Sequence, residues 1–269
     1  MFRRIAPVLG ALAIAQAAAP AAQARSFGRD DYDSGNWPSE LVERPLTLAD
    51  GLGQLDVPVN FNLTDGSVWK PVTMPLRLSY GVTSDVTFAV THQTGFCLSG
   101  IANGCPKLYN DVGAETLLSI FPFGAFQAAL AVGVEFLSLS EPFTAAAVVG
   151  FDARLGIGPI ALRVDPRLRI GVNQRDTLGN KEYLSAPATL QLQVTANVAL
   201  FGGLALNGPL DPAVGSFSTS YSVPMNAGLA YGTGDFDFGA SFILVDLRGN
   251  VPPGATGARA GQVFTSFRF

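Results

Sequence analysis

From Leu55 onward the chain is written in short runs that alternate apolar and polar residues. Leu55, Val57, Val59, Phe61 and Leu63 alternate with Asp56, Pro58, Asn60 and Asn62, and Val72, Met74, Leu76, Leu78 and Tyr80 stand against Thr73, Arg77 and Ser79. A period of two gives a strand one oily face and one wet face. Across 269 residues 48% are hydrophobic and 14% are charged, where a soluble domain carries about 25% charged residues. A helical membrane protein needs several apolar runs of about 20 residues, and here the apolar residues are cut into short stretches by Gly, Pro, Asn and Asp. One closed antiparallel barrel in lipid, apolar outside and polar inside, satisfies both observations.

Three hairpins give the strands a register. Pairing Tyr80 with Val86 across Gly81–Asp85 brings Leu78 to Phe88 and Leu76 to Val90. Pairing Leu155 with Ile160 brings Phe151 to Val164, and pairing Tyr231 with Phe236 brings Leu229 to Phe238 and Met225 to Phe242. Each alignment keeps the oily side chains on one face, which a one-residue slip would reverse. Further strands are expected over Gly113–Phe121, Phe126–Leu137, Phe143–Leu155, Leu184–Leu200, Ser216–Tyr231, Phe236–Leu247 and Gly261–Phe269. A helix over Leu117–Phe136 is the competing reading of the most apolar stretch, opposed by Pro122-Phe123-Gly124 and by Gln127, Gly133 and Glu135 on one parity. Direct counting gives about eleven strands, and a short strand at Gly203–Asn207 restores the even number such barrels use. The expected fold is therefore all-β, an up-and-down barrel of about twelve strands, with ten as the fallback.

The first residues read as a leader: Arg3 and Arg4 precede an Ala-rich apolar run, and Ala22-Gln23-Ala24 fits small-x-small cleavage before Arg25. The expected organisation is a signal peptide over 1–24, a polar periplasmic extension over 25–50, and the barrel over 51–269. The two cysteines, Cys97 and Cys105, flank one polar loop, and an exported chain favours a disulfide between them. Two thiols without a nearby His or third Cys cannot complete a tetrahedral metal shell, so no metal and no cofactor is expected.

The last residues, Val263-Phe264-Thr265-Ser266-Phe267-Arg268-Phe269, resemble the terminal strand of bacterial outer-membrane β-barrel proteins. The resemblance implies an outer-membrane location after export, contact with outer-membrane lipid, and Phe267 and Phe269 read as an insertion signal by the barrel-assembly machinery. Phe264 breaks the inward polar set. Arg44-Pro45-Leu46-Thr47-Leu48 is similar to the opening of porin-like proteins with export leaders.

The lumen carries the functional expectation. Asp152 and Arg154 lie on the polar parity of one strand, and Arg163, Asp165, Arg167 and Arg169 on that of the next. The expected register sets Asp152 opposite Arg163, leaving Arg154, Arg167 and Arg169 in excess, with Gln191 and Gln193 as further polar lining. Arginine rings in a wet lumen favour anions, so the first reading is a passive diffusion pore for small polar or anionic solutes. A lumen filled by neutralising partners such as Glu135 or Asp56 would instead mean a non-conducting structural, adhesive or surface-binding barrel. A lipid-modifying enzyme is the third class: it rests on the single histidine, His92, whose expected cross-strand neighbour is Met74, and no hydroxyl of matching parity accompanies it. No enzyme activity is therefore expected. No basic stripe suggests nucleic acid. The outer loops are too short for large lids, and no plug domain is expected ahead of the barrel.

Overall fold

A computed structural model describes residues 32–33, 35–100, 111–121, 124–213, 215–249, 254 and 257–269. The strands are β1 (Gly53–Asn62), β2 (Val72–Thr83), β3 (Val86–Cys97), β4 (Val112–Phe121), β5 (Phe126–Ser138), β6 (Thr144–Ile157), β7 (Ile160–Val164), β8 (Arg167–Gly171), β9 (Tyr183–Gln193), β10 (Val198–Pro209), β11 (Met225–Gly232), β12 (Phe236–Leu244) and β13 (Arg259–Arg268). Each pairs antiparallel with its neighbour, and β13 closes on β1. The halves β7 and β8 both lie between β6 and β9, so together they make one crossing and the barrel has 12 strands.

Alternation sorts the two faces as the sequence requires. Leu78, Tyr80, Phe88, Leu130, Leu162, Leu190, Leu229 and Phe238 are exposed on the outside, while Ala89, Ala129, Ala131, Ala161, Ala199 and Ala230 on the opposite parity are buried. Small residues on the inner wall leave the interior volume to long polar side chains. The stretch over Leu117–Phe136, for which a helix competed, is the β4–β5 hairpin. No described helix is long and apolar enough to cross a membrane.

The expected registers are each displaced by two residues. Tyr80 faces Phe88 and Leu78 faces Val90; Leu155 faces Leu162; Tyr231 faces Phe238 and Met225 faces Leu244. The true turns are shorter, because Gly81, Gly156 and Gly232 belong to the strands. An even slip preserves which face is oily, so alternation alone does not detect it.

Two elements depart further. The run Leu184–Leu200 is not one strand: it turns at 194–197, where Val198 N–H donates to the Thr195 carbonyl at 3.3 Å. The Gly203–Asn207 strand is part of the full-length β10, paired on both sides. The expected strand from Ser216 opens instead as a short helix, α1 (Phe217–Ser220), before β11. The β7–β8 break falls at Asp165-Pro166, where proline has no N–H to give the ladder. A Cβ on Gly150 would stand 2.1 Å from the Pro166 carbonyl oxygen, so only glycine fits beside this break.

Both chain ends of the barrel and the short turns lie at one rim, the turn side. The loops after β1, β3, β5, β8, β10 and β12 lie at the other, the loop side.

Candidate functional site

The inner wall brings six charged residues from distant strands into one ion-pair chain. Arg163 on β7 gives Nε to Asp165 Oδ1 at 2.7 Å and Nη2 to Asp152 Oδ2 at 3.1 Å. Arg167 on β8 sits 2.6 Å from Asp152 Oδ1 through Nη1 and 2.6 Å from Glu115 Oε2 through Nε. Glu115 on β4 then accepts from Arg77 Nη2 on β2 at 3.2 Å. Glu115 and Arg167 approach over a floor of small residues: a Cβ on Gly133 would lie 3.3 Å from the Glu115 Cβ, and one on Gly150 would lie 2.8 Å from the Arg167 Cδ. Desolvated charges need partners and hydrogen bonds to be tolerated, and each member of this chain has them.

The pairing differs from the expected one. Arg154, not Asp152, stands directly across from Arg163; Asp152 reaches Arg163 diagonally and holds Arg167 as well. Arg167 is therefore not in excess. Arg154 donates to Gln127 Oε1 at 3.3 Å, and the Arg169 guanidinium lies 4.9 Å from the Tyr183 ring centre. Among the described residues neither has a carboxylate partner. Asp152, Arg154, Arg163, Asp165, Arg167 and Gln191 all line a central cavity of about 580 Å³. Arg169 stands beyond it toward the loop side. Gln193 serves the turn side, donating to the Thr195 carbonyl at 2.8 Å and accepting from Val42 N–H at 3.4 Å.

Sequence reasoning missed what fills the turn-side mouth. Residues 35–50, the described part of the expected periplasmic extension 25–50 apart from 32–33, fold with 51–52 into the barrel mouth. Trp37, Leu48, Ala49 and Leu52 form a buried apolar cluster. Arg44 grips Asp237 on β12 with both nitrogens, Nη1 to Oδ2 at 2.6 Å and Nη2 to Oδ1 at 2.7 Å. Burial lowers the Arg44 pKa from its ordinary value, and Asp237 opposes that shift. Arg268 on β13 shares Asp237 Oδ2 with Arg44 Nη1 and gives Nε to Gln54 Oε1 at 2.9 Å. Thr87 Oγ1 on β3 accepts from Leu48 N–H at 2.7 Å. A Cβ on Gly81 would come 1.9 Å from the Ala49 carbonyl oxygen, and one on Gly232 would come 2.7 Å from Leu41 Cδ1. The two glycines make room for the segment, which thus touches wall from β2, β3, β9, β11, β12 and β13.

Elsewhere in the lumen, Phe201 on β10 and Phe264 on β13 lie 6.0 Å apart. Their rings cover Gly228 and Gly239, where an added Cβ would approach within 2.6 and 2.2 Å. Phe264, the residue that broke the inward polar pattern, packs there against a glycine floor. At the loop side His92 faces Leu76, not Met74. The change of partner is the same two-residue displacement seen at Tyr80–Phe88 and Leu78–Val90, and a bulge at Met74–Leu76, opposite Gly95 with φ 74°, follows it. His92 Nδ1 lies 2.6 Å from Asp111 Oδ1, and Thr94 Oγ1 donates to the same oxygen at 2.7 Å, fastening β3 to the start of β4. Asp246, fully buried, accepts from Val223 N–H at 2.8 Å, and Arg248 covers the Tyr221 ring at 3.9 Å. These contacts tie two loops together. Cys97 ends β3, whereas Cys105 lies outside the described residues, as does the leader 1–24. Phe267 and Phe269 are exposed on the outer face at the turn side. Among the described residues no cluster of His, Cys, Asp and Glu has metal-site geometry.

A closed 12-stranded antiparallel barrel with an oily exterior and a charged, polar interior has the fold of outer-membrane porins. The chain is similar to the NanC porin at a TM-score of 0.58 and 12% identity, covering 79% of this chain and 98% of that one. It is similar to the KdgM porin at 0.56 and 9%, covering 80% and 99%, and to KdgM in complex with disordered oligogalacturonate at 0.53 and 9%, with the same coverage. At these identities the likeness is one of fold. No protein-family model matches the chain, and no curated protein matches it in sequence.

Proposed function

We propose that the chain is an outer-membrane diffusion pore for small polar solutes, anions included, with weak charge selectivity. The observation that carries this reading is the cavity of about 580 Å³ at the barrel centre, walled by charged and amide side chains. A barrel built only as a scaffold would fill that space with packed side chains, as small barrels do. Charge selectivity is weak because arginines and carboxylates on the wall largely answer each other: Arg77, Arg163 and Arg167 are matched by Glu115, Asp152 and Asp165. Arg154 and Arg169 have no carboxylate partner among the described residues, and Asp56 and Glu135 on the same wall accept from neutral groups, Gln54 and Ser266 for the first and Gln93 for the second, so the two signs stay close to balance. The short turns then face the periplasm and the long loops the exterior.

Liposome swelling tests the reading. Vesicles carrying refolded protein are diluted into isosmotic solutions of small neutral sugars, amino acids and small organic anions. Swelling that falls with solute size and differs little between neutral and anionic solutes supports the pore. Swelling no faster than in empty vesicles contradicts it.

A further inference from the structure

We infer that the segment 35–52 is a tethered plug that restricts the turn-side mouth of the lumen, with Arg44 and Asp237 as its latch. The inference rests on the pore reading for its consequence, but the plug itself is testable without any current.

The segment is built to move as a unit. Its apolar residues Trp37, Leu48, Ala49 and Leu52 bury one another. Gly51 N–H donates to the Gly81 carbonyl and Gly81 N–H to the Leu52 carbonyl, both at 2.9 Å, which fixes its last residues to β2 as the tether. Its other polar attachments to the wall are few: Thr47 Oγ1 donates to the Ser84 carbonyl at 2.7 Å, Leu48 N–H to Thr87 Oγ1 at 2.7 Å, and Val42 N–H to Gln193 Oε1 at 3.4 Å. Water replaces such bonds at little net loss, since folding only exchanges one set of hydrogen bonds for another. The inner wall behind the segment keeps its polar partners when the segment leaves. The Asp237 carboxylate remains paired with Arg268, and Thr87 and Gln193 are side chains that water solvates. The exception is the Arg44 contact, a buried, two-pronged, charge-assisted pair of the strong kind. Arg44 also donates through Nε to the Pro38 carbonyl at 2.9 Å and through Nη2 to the Thr233 carbonyl at 3.1 Å. One side chain thus holds the segment's own fold and its seat in the barrel. The segment also supplies Trp37, Leu41, Arg44, Pro45, Leu46 and Leu48 to the central cavity. Its departure would widen the path at the turn side.

Trp37 reports the seat directly. The chain has two tryptophans; Trp37 is 6% exposed and Trp69 is 56% exposed. In a Trp69→Phe background the refolded full chain is titrated with acrylamide, and the same preparation is measured for single-channel conductance. The inference expects Trp37 to be protected in that background. Arg44→Ala should raise its quenching constant severalfold and shift its emission to the red, with larger conductance steps. A second variant guards against a general folding defect: Leu41→Cys with Gly232→Cys, oxidised to a disulfide in the Arg44→Ala background, should restore both protection and the smaller steps. Arg44→Ala leaving Trp37 as protected as before would overturn the plug and make the segment a fixed part of the wall. Barrels silent in every variant, with Trp37 exposed by Arg44→Ala, would overturn the pore reading and keep the plug. Conduction with Trp37 always protected would do the reverse.

Discussion

Arg167 and Glu115 join strands that are not neighbours: Nε on β8 donates to Oε2 on β4 at 2.6 Å, with β5 and β6 between them. The contact belongs to a chain of opposite charges running from Arg77 to Asp165, so the wall that sequence patterning marks as cationic is largely neutralised in place. The two strands' positions explain why. Pairing partners on adjacent strands follow from register, but a contact across two intervening strands depends on barrel curvature, which no alternating pattern encodes.

Asp152 is the member of that chain on which most depends. It is 1% exposed and holds both Arg163 and Arg167. Asp152→Ala should cost about 3–5 kcal/mol, the usual cost of stranding a buried charge, read as a lower urea midpoint in folding from detergent or lipid. A loss too small to measure would mean that water already solvates the two arginines.

Reversing the arginines should give the lumen a preference for cations. Arg163→Glu with Arg167→Glu sets four new negative charges' worth of difference against Glu115, Asp152 and Asp165, about four elementary charges for two reversed residues. The reversal potential in a salt gradient should move toward cation preference. An unchanged potential would place the ion path away from this wall.

Gly81 and Gly232 are expected to matter for the segment and not for the barrel. Gly81→Val puts its Cβ where the Ala49 carbonyl now sits, 1.9 Å away. The variant should keep its β-sheet circular dichroism while Trp37 becomes accessible to acrylamide. Protection equal to that of the parent would show that the segment shifts to accommodate a side chain there.

The cysteines give a simple check on export chemistry. Protein recovered from the cell envelope and unfolded without reductant should show no reactive thiol at Cys97 or Cys105, and two after reduction. Two thiols before reduction would remove the expected disulfide.

The barrel was legible in the sequence because lipid outside and water inside impose alternation on every strand. The inward parity of Asp152, Arg154, Arg163, Asp165, Arg167, Arg169, Gln191 and Gln193 followed from that alone. The register was less legible, and for one reason. Gly81, Gly156 and Gly232 read as turn residues, since glycine marks turns, yet all three are strand residues. At Gly81 and Gly232 the glycine admits the N-terminal segment. Here a feature that punctuates sequences serves close approach. The segment was missed for a related reason. Trp37, Leu48 and Leu52 are spaced among Pro38, Pro45 and Gly51 with no period of two or 3.6, so nothing local shows that they pack together. Phe264 was the visible sign of the aromatic pair, and its partner Phe201 was not singled out.

The most direct test of the central claim is the conductance and reversal potential of the refolded barrel in a planar bilayer under a salt gradient. The account predicts discrete steps with a reversal potential close to zero, because the lumen holds an open polar cavity and its charges are largely paired. A correctly folded barrel that passes no current, both as the parent and after Arg44→Ala, would contradict it.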